Sequence, residues 1–471
     1  MADENNIRHE AEHVSLSGRL WLGGADCMIT TLNNIITGGG LTFFFVNHFG
    51  MSPASSALCW LLFGLWNALN DPLFGYISDK TKSRLGRRIP YIRYGSILIT
   101  IVFVLSWTVW FGTDSDAKMF IQMFLSLFLF DSLYTAIATS LYVMPFEMAV
   151  TNEARGKIMF VKLVFGLAAL SVPLVLLAEL ENLLAASLQS FQRLMLIIGV
   201  AAGIIMFVST FFYKENGYTR EEEQFPFIQS LVTCLKNKSF LVFESISFSV
   251  TFIQTALMMG LSYYFDAFGI NYLFCYGAMF LGILFGIWLW MKPGEKWRVK
   301  KSVILMCLIF GGTLLVMLVL GKHTAAGIVG FFGAGIGFAG GMYEVPLMFG
   351  DVMDYDEHVC GLRREGMYAG VNSLICKPAI SFANALFPVM LGWFGYNTSV
   401  AIAAQDATAK LGIRVAWLLI PVVLLLLCAV LIRSFYPLGG DEWDRTKQEL
   451  AVKHAEKQLA YEQEMLSRTE S

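Results

Sequence analysis

Residues 55–112 read SSALCWLLFGLWNALNDPLFGYISDKTKSRLGRRIPYIRYGSILITIVFVLSWTVWFG. Two apolar runs, 55–78 and 91–112, flank a short turn in which Lys80, Lys82, Arg84, Arg87 and Arg88 crowd together. Each run is long enough to cross a hydrocarbon core, which takes about 20 mostly apolar residues as a helix. The basic turn marks its own side of the membrane, because short loops rich in Lys and Arg stay in the cytoplasm.

The same alternation continues outward in both directions. The expected spans are 22–46, 55–78, 91–112, 119–146, 158–178, 192–213, 240–265, 270–291, 302–321, 324–350, 366–395 and 412–435. The 471 residues are 56% hydrophobic and 15% charged, with a mean hydropathy of +0.60, whereas soluble domains carry about 25% charged residues. An all-α membrane protein of twelve transmembrane helices is therefore expected. With both termini cytoplasmic, the inner segments hold 27 of the 34 Lys and Arg, the outer loops five, and the spans Lys162 and Lys377. That asymmetry supports an even number of spans and cytoplasmic ends. Net charge is −2, which gives no bulk attraction to nucleic acid. The eight cysteines are scattered, with no CxxC pair and no Cys/His spacing of a metal site. The first 19 residues are polar and no cleavage site follows, so no cleavable signal is expected.

The chain divides into a cytoplasmic segment 1–19, a six-helix bundle 20–213, a cytoplasmic linker 214–238 containing Arg220-Glu221-Glu222-Glu223, a second bundle 239–436 and a charged tail 437–471. The halves echo each other. Pro145 is followed by Glu147, Glu153, Arg155 and Lys162; Pro346 is followed by Asp351, Asp354, Arg363, Arg364 and Lys377. Each time an acidic then basic turn leads to one lysine inside the next span, as in parallel repeats closing on a midplane site.

A charge kept inside a span costs a few kcal/mol, so each is a functional candidate. Asn67 and Asp71 stand four apart and share one helical face, a geometry suited to a cation or a transferable proton, or to bracing the helix beside Pro72. Asp26 follows Gly23-Gly24-Ala25, where small residues let a solute or a helix approach. Lys162 and Lys377 must face a cavity or an acid. Glu344 lies beside Tyr343 and two residues before Pro346, which can open backbone groups to a cavity. Asp131 and Glu244 are weaker candidates of the same kind. Tyr142 and Tyr343 could stack on a sugar ring or simply pack. Asp79 with Arg84, Arg87 and Arg88 offers ion pairs that could break as halves rock, and Glu147, Arg155, Asp351, Asp354, Arg363 and Arg364 extend that gating set. No hydrolase, P-loop or zinc-protease motif occurs, and an enzyme is not expected.

These motifs carry a resemblance. Trp66-Asn67-Ala68-Leu69-Asn70-Asp71-Pro72-Leu73-Phe74-Gly75-Tyr76 with Asp79 and Arg84-Leu85-Gly86-Arg87-Arg88, and Asp351-Val352-Met353-Asp354-Tyr355 with Gly361-Leu362-Arg363-Arg364-Glu365-Gly366 and Lys377, are similar to the glycoside-pentoside-hexuronide:cation symporters, the melibiose permease branch of the major facilitator superfamily. The resemblance covers all twelve spans. It implies two pseudo-symmetric six-helix bundles and alternating access around a central sugar site. It also implies Asp71, Asn67 and Thr135 at the coupling cation, Asp26, Lys162, Lys377, Tyr142 and Tyr343 at the substrate, and no cofactor beyond that cation. The sequence departs from the family where a second carboxylate becomes Asn67 and another falls at Ala138.

The thinned carboxylate set favours a proton over sodium as coupling ion, through Asp71 or Glu344. The expected function is symport of a sugar, glycoside or sugar acid by a monomer in a bacterial inner membrane. With two lysines facing few acids, charge balance would favour an anionic sugar. The alternatives are a lysolipid carrier of the same fold and a non-transporting sensor or scaffold.

Overall fold

The computed structural model describes residues 14–149, 151–215, 226–291, 298–321, 323–397 and 400–470. The charge run Arg220 to Glu223 lies outside the described residues, as do Lys292, Lys296 and Lys322. No strand occurs among the described residues.

The helices are α1 (Leu16–Ile35), α2 (Pro53–Lys80), α3 (Ile89–Ser106), α4 (Asp116–Met148), α5 (Asn152–Ala186), α6 (Leu188–Ser209), α7 (Phe227–Lys236), α8 (Lys238–Phe268), α9 (Tyr272–Met291), α10 (Val299–Leu320), α11 (Thr324–Cys360), α12 (Glu365–Trp393), α13 (Ala407–Arg414), α14 (Ile420–Phe435) and α15 (Asp441–Glu470). Short π-helical turns, Ile36–Gly40 and Phe43–His48, prolong α1, and another, Val415–Leu419, joins α13 to α14. Helices occupy all twelve expected spans, with α7 and α15 outside them.

Several ends differ from the apolar runs. Helices α5 and α11 continue well past them, because backbone hydrogen bonding does not stop where hydrophobicity does. The third span ends at Ser106 instead of 112: Gly112 adopts a φ of +87°, and the Trp110 N–H donates to Gln122 of α4 at 2.9 Å. The polar tail is helical over Asp441–Glu470.

Helix α2 starts at Ser52, whose hydroxyl accepts the Ser55 N–H at 3.2 Å, with Asp116 accepting the Ser52 N–H at 2.6 Å. Its outer stripe of Leu58, Leu61, Leu65, Leu69, Leu73 and Ile77 is exposed, while Asn70, Asp71 and Asp79 are buried. A helix in water shows the opposite pattern, so lipid is the solvent on that face. Among the described residues, eight helical stretches are long and apolar enough to span by composition: α3, α4, α6, α8, α9, α10, α11 and the α13–α14 run. The other four spans, α1, α2, α5 and α12, carry Asp26, Asp71, Lys162 and Lys377.

The chain forms two units. The first contains Met1–Ser230, Gly361–Ser373 and Glu449–Ser471; the second contains Leu231–Cys360 and Leu374–Gln448. In the first, α1 packs on α5 and α6, α2 on α4, and α3 on α4 and α6, around a core that includes Ile29, Phe44, Phe103, Trp107 and Leu127. Gly75 of α2 meets Gly366 of α12 backbone to backbone: a Cβ at Gly75 would lie 2.1 Å from the Gly366 carbonyl oxygen. In the second unit α11 packs on α8, α9 and α10, and α14 packs on α8 and α10.

Candidate functional site

Within the first unit, Asp26 of α1 and Lys162 of α5 form an ion pair of 3.2 Å. Lys162 also donates to the Leu141 carbonyl at 2.9 Å, which fixes the ammonium beside the turn of α4 that carries Tyr142. Both charged groups are partly accessible, at 11% for Lys162 and 26% for Asp26. An ammonium and a carboxylate held side by side, neither fully sealed, can donate to and accept from vicinal hydroxyls. The expected imbalance of positive charge at Lys162 is corrected by this pair.

In the same unit, Asp71 and Asn70 of α2 and Asp131 and Thr135 of α4 are all buried. The Asn70 amide donates to the Asp131 carboxylate. Trp66 donates its indole N–H to Ser132 at 3.1 Å and fastens α2 to α4. The Asn70 Oδ1 and Thr135 Oγ1 atoms are buried with no hydrogen-bond partner among the described residues. Asp26, Asp71 and Asp131 all act electrostatically on Tyr134, so the three acids share one neighbourhood of the first unit. Asn67, half-buried, shares the face of Asp71 one turn away.

A second cluster of the first unit surrounds the α2–α3 turn. Arg87 Nη2 lies 2.8 Å from Glu147 of α4 and 3.2 Å from Glu365 at the head of α12. Arg87 Nη1 donates to the Arg363 carbonyl at 3.3 Å. Arg88 pairs with Asp79, and its Nη1 donates to Ser78 at 2.5 Å. Arg363 closes the ring, with Nε 2.5 Å from Glu365 and Nη2 donating to the Phe146 carbonyl at 3.0 Å. Asp79 accepts the Gly366 and Met367 N–H groups at 3.0 and 2.7 Å, an acid set on the positive end of α12. Glu215 accepts backbone N–H groups of the same turn.

Burial alone would depress Arg87, but Glu147, Glu365, Asp79 and Glu215 hold its guanidinium above the ordinary value. Burial would likewise raise Glu365, yet Arg363, Arg87 and Arg88 hold it well below the usual carboxylate range. Arg155 donates to the Ala149 carbonyl at 2.9 Å with its guanidinium over the Phe146 ring. Arg364 is buried with its guanidinium over Tyr368, and Arg84 is exposed on the turn.

The second unit holds the remaining candidates. Asp351 receives Lys447 of α15 at 2.5 Å, and Asp354 lies 3.9 Å from the same ammonium. Tyr343 and Glu344 are buried on α11, as is Ser302 of α10. Lys377 sits half-buried on α12, next to Cys376, whose thiol meets Ser247 at 3.1 Å.

Sequence reasoning left Asn70, Tyr134, Glu215, Glu365 and Lys447 out of the site. Asn70 had a local signal, being a polar residue within an apolar run; Glu215, Glu365 and Lys447 lie in polar flanks where a charge is unremarkable.

Residues 22–440 match the family model described as MFS/sugar transport protein. The chain is 25% identical over 422 residues to an uncharacterized symporter, YnaJ, of Bacillus subtilis (strain 168), covering 87% of this chain and 89% of that one. It is 24% identical over 434 residues to the isoprimeverose transporter of Lactiplantibacillus pentosus, covering 88% and 87%. Among solved structures, the major facilitator superfamily transporter FucP in its outward conformation superposes with a TM-score of 0.55 at 14% identity, over 88% of this chain and 97% of that one.

Proposed function

This chain belongs to the MFS/sugar transport protein family, within its glycoside-pentoside-hexuronide symporter branch, and from that membership and the geometry above we propose that it carries a neutral glycoside across the membrane together with a proton. It is a multi-pass integral membrane transporter of the major facilitator fold and not an enzyme.

The observation that carries the substrate reading is the Asp26–Lys162 pair. Two charges in an apolar bundle neutralise each other, so the site has no net demand for an anionic sugar. Partial exposure leaves a carboxylate and an ammonium free to exchange their mutual contact for hydroxyls. The Tyr142 ring, one residue beyond the carbonyl that anchors Lys162, suits a pyranose face.

Proton coupling is supported by what surrounds Asp71 and Asp131. A sodium shell uses oxygen ligands only, yet Asn70 turns its N–H toward Asp131. Position 67, an amide, adds no negative charge. The Asn70 N–H favours the ionised carboxylate, while the buried Asn70 Oδ1 and Thr135 Oγ1 acceptors can receive the hydrogen of the protonated acid, so both protonation states have partners here.

Transport follows alternating access. The Arg87, Glu147 and Glu365 ring with Asp79 on the α12 N-terminus serves as the closed inner gate, and its ion pairs release when the carrier opens inward. Within the second unit, Asp351 and Asp354 held by Lys447 carry a gating role of their own, and the termini lie on the cytoplasmic side of a bacterial inner membrane.

Uptake of a panel of labelled glycosides and glycuronides into vesicles, with a pH or a sodium gradient imposed separately, tests this. Neutral-glycoside uptake driven by the pH gradient is expected. Uptake driven by sodium alone, or confined to glycuronides, would overturn it.

A further inference from the structure

Glu215 follows α6 and comes to rest at the turn between α2 and α3. Its carboxylate accepts the backbone N–H groups of Arg87 at 2.5 Å, Arg88 at 2.8 Å and Ile89 at 2.7 Å. These donors open α3, where Arg88 supplies no side-chain cap of its own. The first N–H groups of a helix have no partner within it, and here one carboxylate takes three, from a position more than 120 residues along the chain.

Gly86 makes the approach possible. It adopts a φ of +119°, and a Cβ there would stand 2.4 Å from Glu215 Oε1. The two arginines whose backbone Glu215 grips also send their guanidiniums to Glu147, Glu365 and Asp79. Glu215 is also among the acids that act on the Arg87 charge.

We infer that Glu215 is a positioning residue of the inner gate: by holding the N–H groups of Arg87, Arg88 and Ile89 it fixes the turn from which both arginines reach their acids, and so sets how often the gate opens. This rests on the gate proposed above. Arginine is long and adaptable, and a reach of several rotatable bonds closes on a fixed partner only when its backbone is fixed too. Removing the carboxylate returns three N–H groups to solvent competition and lets the turn drift, which disfavours the closed state relative to the open one.

The test uses full-length protein carrying Thr139→Cys, on α4 between Thr135 and Tyr142, in a Cys360→Ser background, because the other seven native cysteines are buried. A membrane-impermeant maleimide is applied to inside-out and to right-side-out vesicles. Glu215→Gln is expected to raise labelling from the cytoplasmic face about fivefold and to lower it from the outer face, the mark of a shifted two-state equilibrium. A general loosening of the fold would raise both. Arg87→Gln, which breaks the gate itself, runs in parallel. If Arg87→Gln shifts labelling and Glu215→Gln does not, the role of Glu215 is overturned while the gate stands. If neither shifts it, the gate and the inference fall together. Should Glu215→Gln not reach the membrane, Gly86→Ala, which pushes the carboxylate off the N–H groups, is read in the same assay. Labelling like the parent protein's would then overturn the proposal.

Discussion

Asp26 Oδ1 stands 3.2 Å from Lys162 Nζ across α1 and α5. The two residues are 136 positions apart, and each is the charge that its own span retains. Breaking one partner leaves the other charged in an apolar setting, which is costlier than never having had the pair. Lys162→Met and Asp26→Asn are each expected to lower uptake at least tenfold, and the double variant to be no worse than either single one, because the pair acts as a unit. Uptake at equal membrane content checks this; strictly additive losses would show independent roles.

Asp71→Asn is expected to separate transport from its driving force. The neutral side chain keeps the helical contacts but cannot exchange a proton. Counterflow of the labelled glycoside should persist, while accumulation against its gradient should fall by about an order of magnitude or more. A variant that still accumulates substrate under a pH gradient would move the coupling role to Asp131 or Glu344, and Asp131→Asn and Glu344→Gln would then be compared in the same measurement.

Glu365→Gln is expected to expose the pH signature of the gate. Its carboxyl is held below the usual range when folded, after the arginines outweigh burial. A depressed folded value means that the carboxylate stabilises the fold above the unfolded value, about 4.3, and that this is lost as pH falls through the folded value. In detergent, the wild-type protein should therefore melt several degrees above the variant from pH 8 down to about 5, with the gap closing only in strong acid. A gap already gone near pH 6 would contradict the assignment.

Much of the site was visible in the sequence because lipid makes polarity conspicuous. Asp26, Asp71, Lys162 and Lys377 declare themselves within apolar runs, and the Asp79 to Arg88 turn stands out as a basic block. Glu365 and Glu215 are different. Each sits among polar neighbours, and each acquires its meaning only when a turn distant in sequence arrives beside it. The pairing of Asn70 with Asp131, 61 residues apart, is of the same kind. Periodicity shows which face a residue shares, and not which helix will cover it. The early end of α3 was hidden for the opposite reason: residues 107–112 are apolar enough to extend the run, but the chain leaves the helix at Trp107 and its Trp110 N–H turns to Gln122 of α4.

The contact of Gly75 with Gly366 limits what variation can do at this point. Where side chains make a tight fit, a smaller or larger one can trade volume with its neighbours. Here main chain rests on main chain, with the Gly366 oxygen where the smallest side-chain atom would have to go. There is no graded series of replacements from loose to tight, only fit or misfit. A carrier can be retuned for new cargo by exchanging the residues that line its path, but this seam comes in a single size, and any remodelling has to leave it alone.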